Sequence, residues 1–239
     1  MVVLRGVGVS KKFGALWAVK DVDFEVGESE VVGLIGPNGA GKTTLFNIIT
    51  GVYKASKGKI WLNDKEISKF KPYQICRLGI ARVFQTPRVF LDMSAARNIK
   101  LAETFGQQRR KRADSQVQQL LELTGLQQKV DTIARRMSLF ERRMLELAMA
   151  LATKPYVLLI DEIAAGISPV DMNFIVKTIE TARKDFKISI FWVEHVMSVI
   201  MNVADRIIVM NVGEKIAEGK PAEVAKHPEV IEAYLGRGI

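Results

Sequence analysis

Gly36-Pro37-Asn38-Gly39-Ala40-Gly41-Lys42-Thr43 decides the reading of this chain, because of what stands on either side of it. Before it, Ser29 to Ile35 (SEVVGLI) ends in a nearly continuous apolar run, as expected of a strand covered on both faces. After it, Thr43 to Thr50 reads as a helix, with Gly51 placed as its C-terminal stop. The stretch therefore meets G-x-x-x-x-G-K-[ST] in a strand–loop–helix context, which a chance Gly-rich turn lacks. Glycines let backbone N–H groups point at phosphate oxygens without side-chain obstruction. Lys42 can reach the β- and γ-phosphates of a nucleotide, and the Thr43 hydroxyl can ligate Mg²⁺. The positive end of the helix adds to the same anion site, and Thr44 joins the nucleotide-binding set.

A metal-bound triphosphate needs an acidic partner at a neighbouring strand end. Val157-Leu158-Leu159-Ile160-Asp161-Glu162 supplies four apolar residues and then two carboxylates where the strand meets solvent. Asp161 is suited to hold Mg²⁺, and Glu162 to orient and polarise an attacking water. Alone, this would read as an acidic turn after a buried strand; beside the phosphate loop it reads as catalytic. His195 follows the apolar run Ile190-Phe191-Trp192-Val193, again at a strand's C-terminal end, where open α/β sheets bind ligands. On position alone, a structural and a ligand-sensing histidine are equally good readings of it. His227, before Pro228, reads as a surface residue with no role.

Outward from these motifs, the chain is an α/β core interrupted by a helical lobe. Val2 to Val9, Ala18 to Val26 and Lys59 to Leu62 alternate as short strands, with Asn63-Asp64 as a turn. From about Thr86 to Thr153 the pattern turns helical: Ser115 precedes Val117, Leu120 and Leu121, and Glu141 to Ala152 repeats the spacing. Strands return at Tyr156 to Ile160 and Ile188 to Val193, with a helix over Val170 to Lys184 between them. Ile207 to Met210 and Lys215 to Ala217 predict a hairpin through Asn211-Val212-Gly213, and short helices follow Pro221. The expected division is one nucleotide-binding domain over 1–239, with a core of 1–85 and 154–239 and a helical lobe of about 86–153.

Composition excludes several classes. A charged fraction of 26% with 48% hydrophobic residues fits one globular core and not a disordered chain. The longest apolar runs are far too short to cross a bilayer. No basic-then-apolar leader opens at Met1, and the single Cys76 rules out an internal disulfide framework, so a cytoplasmic chain is expected. The net charge of +9 suits nucleotide phosphates, an anionic membrane surface or nucleic acid alike. Its densest run, Arg109-Arg110-Lys111-Arg112, has no aromatics interleaved for base stacking, so it reads first as a solvated loop, with a lipid-facing or nucleic-acid role as the alternative. No nucleic-acid partner is expected.

With phosphate loop, acidic strand end and strand-end histidine in this order, the chain resembles the nucleotide-binding subunits of ABC transporters along essentially its full length. The resemblance implies a P-loop NTPase core with an N-terminal antiparallel β subdomain and a helical insertion. It implies ATP and Mg²⁺ as ligands, adenine stacking by Phe13 in Ser10-Lys11-Lys12-Phe13-Gly14, and a Mg²⁺-shell role for Gln85 in Arg82-Val83-Phe84-Gln85. It makes His195 a γ-phosphate sensor, and Ile163 to Asp171 the loop that meets the opposite subunit. Ala81 to Phe90 with Met93-Ser94, Ile163 to Pro169 and Glu232-Ala233-Tyr234-Leu235-Gly236 are similar to ATPases of branched-chain amino acid importers. Lipid-exporting relatives, including the lipopolysaccharide-export ATPase, share a similar tail and middle loop; a nucleotide-sensing regulator with weak hydrolysis is a further alternative.

One departure stands out. The family's signature helix usually opens Leu-Ser-Gly-Gly-Gln, and here Met137-Ser138-Leu139-Phe140-Glu141 takes its place, keeping Ser138 and losing both glycines. Ile163 likewise stands where proline commonly follows the acidic pair. The resemblance implies a second ATPase subunit, with a heterodimer favoured over a homodimer. It also implies two membrane permease subunits, an indirectly coupled substrate-binding protein, and a peripheral place on the cytoplasmic face of the membrane.

Overall fold

The computed structural model describes residues 1–106 and 116–235, so the basic run at 109–112, Ser115 and Gly236 lie outside the described residues. In chain order, the first elements are β1 (Val2–Phe13), β2 (Leu16–Gly27), β3 (Val31–Ile35), α1 (Lys42–Ile49), β4 (Lys57–Leu62) and β5 (Lys65–Glu66). Then come α2 (Pro72–Leu78), β6 (Ile80–Val83), α3 (Ala95–Phe105), α4 (Val117–Leu123), α5 (Leu139–Ala152), β7 (Val157–Asp161) and α6 (Pro169–Phe186). The chain closes with β8 (Ser189–Val193), α7 (Met197–Val203), β9 (Arg206–Asn211), β10 (Glu214–Gly219), α8 (Pro221–Val224) and α9 (Pro228–Leu235). These elements form two compact units, Met1–Pro72 with Ser189–Ile239, and Tyr73–Ile188.

In the first unit, β2-β1-β4-β5 form an antiparallel sheet. A second set runs β10-β9-β3-β8. Within it β3 lies parallel to both β8 and β9, through Val31↔Ile190 and Val32↔Arg206. All five residues of β3 are buried, which is why its sequence does not alternate. Phe191 of β8 packs against Phe24 of β2 and Phe46 of α1, with ring centroids 5.7 and 5.2 Å apart. Each such fully buried ring contributes about 1.5–3 kcal/mol by leaving water. The rings fix α1, and with it the loop before α1, to both sets of strands. The β9–β10 hairpin turns through Val212 (φ 47°) and Gly213 (φ 84°), the left-handed pair a tight hairpin needs.

In the second unit, β6 and β7 are parallel, with Ile80↔Val157 and Val83↔Ile160 in register. Helix α5 buries Met144, Leu145, Leu147 and Ala148 in this unit's core. Its start differs from the expected Glu141: it begins at Leu139 because Ser138 and Glu141 close a reciprocal capping box, satisfying two end amides. Helix α3 lies inside the stretch expected to be helical, while α2 and α7 have no counterpart in the sequence expectations. Ser94 caps α3 by accepting from Arg97 N–H. Asn98, with no exposed surface, donates to the carbonyls of Phe90, Met93 and Ser94 and accepts from Phe90 N–H. That side chain replaces water for an entire bend of backbone and holds the segment leading into α3. Among the described residues, no helix is long and apolar enough to cross a membrane.

Candidate functional site

The first unit carries the phosphate loop, between β3 and α1. Gly36 (φ 149°), Gly39 (φ 80°) and Gly41 (φ 101°) all adopt backbone that side-chain-bearing residues avoid. At two of them space is also closed: a Cβ on Gly36 would meet the Met210 carbonyl oxygen at 2.1 Å, and one on Gly41 the Ala18 carbonyl oxygen at 2.3 Å. Pro37 O accepts from Ala40 N–H at 3.1 Å, which tightens the bend. Lys42 is 4% exposed, and its Nζ donates to the carbonyls of Gly36 (2.7 Å) and Pro37 (3.0 Å). Its ammonium is thus held inside the curve of the loop. Thr43 and Thr44 open α1, with Thr43 exposed.

The same unit holds Phe13 and His195. Phe13 is 43% exposed and meets Tyr53 edge-on at 5.3 Å, with Lys11 Nζ 5.0 Å from its ring centre. A half-exposed aromatic face bordered by a cation suits a purine. His195 is exposed just beyond β8, on a turn pinned by buried Glu194, whose Oε1 accepts from the N–H groups of His195 (3.0 Å) and Val196 (3.4 Å). Tyr234 of α9, read in the sequence only as part of the C-terminal stretch, lies at the phosphate loop. Burial pushes its phenol pKa up, and a backbone hydrogen bond at Gly36, the first loop glycine, opposes that rise. His227, expected at the surface, is half-buried.

The second unit holds the acidic pair. Asp161 is the last residue of β7, 3% exposed, and Arg82 of β6 donates to its Oδ2 at 2.5 Å. Its Oδ1 is buried with no hydrogen-bond partner among the described residues. A buried carboxylate oxygen left unpaired costs free energy unless something cationic meets it, so the donor set fits a divalent ion. Glu162, half-buried, sits at φ 51°, a left-handed backbone that costs a non-glycine residue about 1–2 kcal/mol. Gln85, exposed after β6, donates from Nε2 to Glu162 Oε2 at 2.7 Å. The glutamine and the carboxylate expected to share one task are therefore in contact.

Ser138 is exposed at the start of α5 in this unit. Its Oγ accepts from Glu141 N–H (3.1 Å) while Glu141 Oε2 accepts from Ser138 N–H (2.8 Å) and Oε1 pairs with Lys129 (3.3 Å). The Ser138 amide's hydrogen bond holds the Glu141 carboxyl below its usual range, with the Lys129 ammonium assisting. Both carboxylate oxygens of Glu141 are thus engaged at its own helix end. Leu139, where the family pattern has a glycine, is 45% exposed.

Comparison with known proteins follows the same lines. The family described as ABC transporter matches residues 19–165, and one described as branched-chain amino acid ATP-binding cassette transporter matches residues 214–239. The high-affinity branched-chain amino acid transport ATP-binding protein BraF of Pseudomonas aeruginosa is 34% identical, the alignment covering 98% of each chain. LivG of Salmonella typhimurium, described in the same words, is 37% identical over 96% of each chain. Among solved structures, an ATP-binding cassette of an ABC transporter in its ADP conformation superposes with a TM-score of 0.86 at 30% identity, over 99% of this chain and all of that one. A family match over most of the molecule and relatives aligned almost end to end place the chain in the ABC transporter family, among its ATP-binding subunits.

Proposed function

We propose that this chain binds and hydrolyses ATP to power the import of branched-chain or related amino acids through separate membrane permease subunits. The observation that carries hydrolysis is the contact of Gln85 with Glu162, next to an Asp161 oxygen left without a partner. The end-to-end likeness to BraF and LivG supports the importer class.

Phe13 stacks on adenine. Residues Gly36 to Thr44, through their backbone N–H groups except at Pro37, and the Lys42 ammonium bind the phosphates, Lys42 exchanging the Gly36 and Pro37 carbonyls for anionic oxygens that attract it more strongly. Thr43, Gln85 and Asp161 would hold Mg²⁺, whose charge offsets that on the β- and γ-phosphates when it is bound. Glu162 accepts a proton from water as the water oxygen bonds to the γ-phosphorus and the bond to the bridging oxygen breaks, giving ADP and phosphate. Gln85 holds that carboxylate in place, and His195 senses the γ-phosphate. Ser138 donates to ATP held by a second ATPase subunit.

The core for this chemistry is 1–85 with 154–239, the helical lobe is about 86–153, and the residues from Thr86 to Phe90 and beyond meet the permeases. The chain sits at the cytoplasmic face of the membrane and acts indirectly for a substrate-binding protein. Because Leu139 and Phe140 replace glycines, a heterodimer whose other member has an intact signature is favoured over a homodimer. Lys42→Ala should lower ATP affinity in calorimetry at least about tenfold. Glu162→Gln should keep ATP, lose turnover and dimerise with ATP in light scattering. Wild-type affinity in the first variant and wild-type turnover in the second would overturn the assignment.

A further inference from the structure

Glu146 lies in the middle of α5, 3% exposed, among Leu145, Leu147 and Ala148. Its Oε2 accepts from Phe84 N–H at 3.3 Å and its Oε1 from Arg88 N–H at 2.9 Å. Those two amides bracket Gln85, so one carboxylate closes the loop at both ends. The loop has a second fastening: the guanidinium groups of Arg82 and Arg88 lie over the Phe84 ring at 4.7 and 4.1 Å, and Arg82 also holds Asp161. One turn earlier on α5, Arg143 donates to Ala165 O at 2.7 Å, in the segment that follows Glu162. One helix thus grips the backbone beside both members of the Gln85–Glu162 contact, and the cap of that helix is Ser138.

We infer that Glu146 is a positioning residue for ATP hydrolysis, clamping the loop that presents Gln85 to Glu162. A purely structural reading accounts poorly for a carboxylate here. Burial pushes the pKa of Glu146 up to about 7, against the pull of the Arg88 and Phe84 amides and the Arg143 and Arg88 charges. An apolar side chain in α5 would pack without that penalty. Two acceptor oxygens at the span of two loop amides are what only a carboxylate provides. Glutamine would keep one acceptor and turn an NH₂ group towards the other amide; alanine would release both. Arg143 supports the same arrangement from the Ala165 side, so loosening one grip leaves the other and the helix itself in place.

The inference rests on Gln85 and Glu162 acting in hydrolysis, and its test separates the two claims. Steady-state hydrolysis, ATP affinity and amide hydrogen exchange are measured on Glu146→Ala, Glu146→Gln and Gln85→Ala. In Glu146→Ala, kcat should fall about tenfold with KM and ATP affinity within about twofold of wild type. Exchange over Phe84 to Arg88 should rise while β6 and β7 stay protected, and Glu146→Gln should fall between. If Glu146→Ala loses the protection of β6 and β7, Glu146→Gln alone decides. A folded Glu146 variant with wild-type kcat, unchanged loop exchange, or a loss confined to KM would overturn the inference. If Gln85→Ala itself keeps wild-type turnover, the site assignment fails; if only the Glu146 variants do, that assignment stands and the clamp falls.

Discussion

Glu162 and Glu146 are carboxylates of one unit in opposite surroundings. Glu162 is half in solvent on a left-handed backbone; Glu146 is sealed in a helix core. For Glu146 the consequence is measurable. Its pKa rises from 4.5 to about 7, so the folded state holds the proton more tightly than the unfolded chain. That stabilisation is complete below about pH 4.5 and is lost as pH rises through about 7. The loss amounts to about 2–3 kcal/mol between about pH 5 and about pH 8. Glu146→Gln carries no such proton. In urea unfolding it should gain on wild type by that amount as pH rises over this interval, and a pH-independent difference would show the carboxylate to be solvated. The clamp, if it serves turnover, does so at a cost in stability that is largest where the carboxylate is charged.

At the scale of elements, the start of α5 is the informative case. Ser138-x-x-Glu141 before an apolar run is a capping signature legible in the sequence, and it closes in the structure. Glu141→Ala should lower stability by about 1 kcal/mol, with faster amide exchange at the first turn of α5, and unchanged exchange there would mean the box is not sustained in solution. The triple change Leu139→Gly, Phe140→Gly and Glu141→Gln should raise the isolated protein's ATPase rate by opening the backbone. It should also cost helix stability, about 1 kcal/mol for each glycine. The phosphate loop, β3, β7 and the hairpin were legible because local chemistry or an unbroken apolar run dictates them. Helices α2 and α7 were not, each being 7 residues long, and the entry to α3 depends on Asn98 satisfying a bend that no spacing rule encodes. Glu146 was equally hidden, since in sequence it is one charge in a helix. Its meaning comes from Phe84 and Arg88, which the fold brings to it.

For the whole molecule, the proposed pairing with a second ATPase subunit predicts that turnover depends on that subunit. Purified alone, the chain should hydrolyse ATP slowly, and addition of a distinct ATPase subunit with an intact signature should stimulate it severalfold. Rapid turnover by the isolated chain, unchanged by the triple substitution, would show the signature to be competent as written. A different consequence lies in how the first unit is assembled from the two ends of the chain, Met1–Pro72 and Ser189–Ile239. Strand β3, buried along its whole length, pairs with β8 and β9, and both belong to the later segment. During synthesis, Val31–Ile35 and the phosphate loop behind it must therefore wait for almost the entire remaining chain to leave the ribosome. The second unit, continuous from Tyr73 to Ile188, is complete one residue before β8 begins and can fold while β8 and β9 are still being made. Nascent chains halted short of β8 would carry an apolar strand with neither parallel neighbour, a segment prone to pair with other chains. The window for aggregation opens with the nucleotide-binding strand itself and closes only when β8 and β9 arrive.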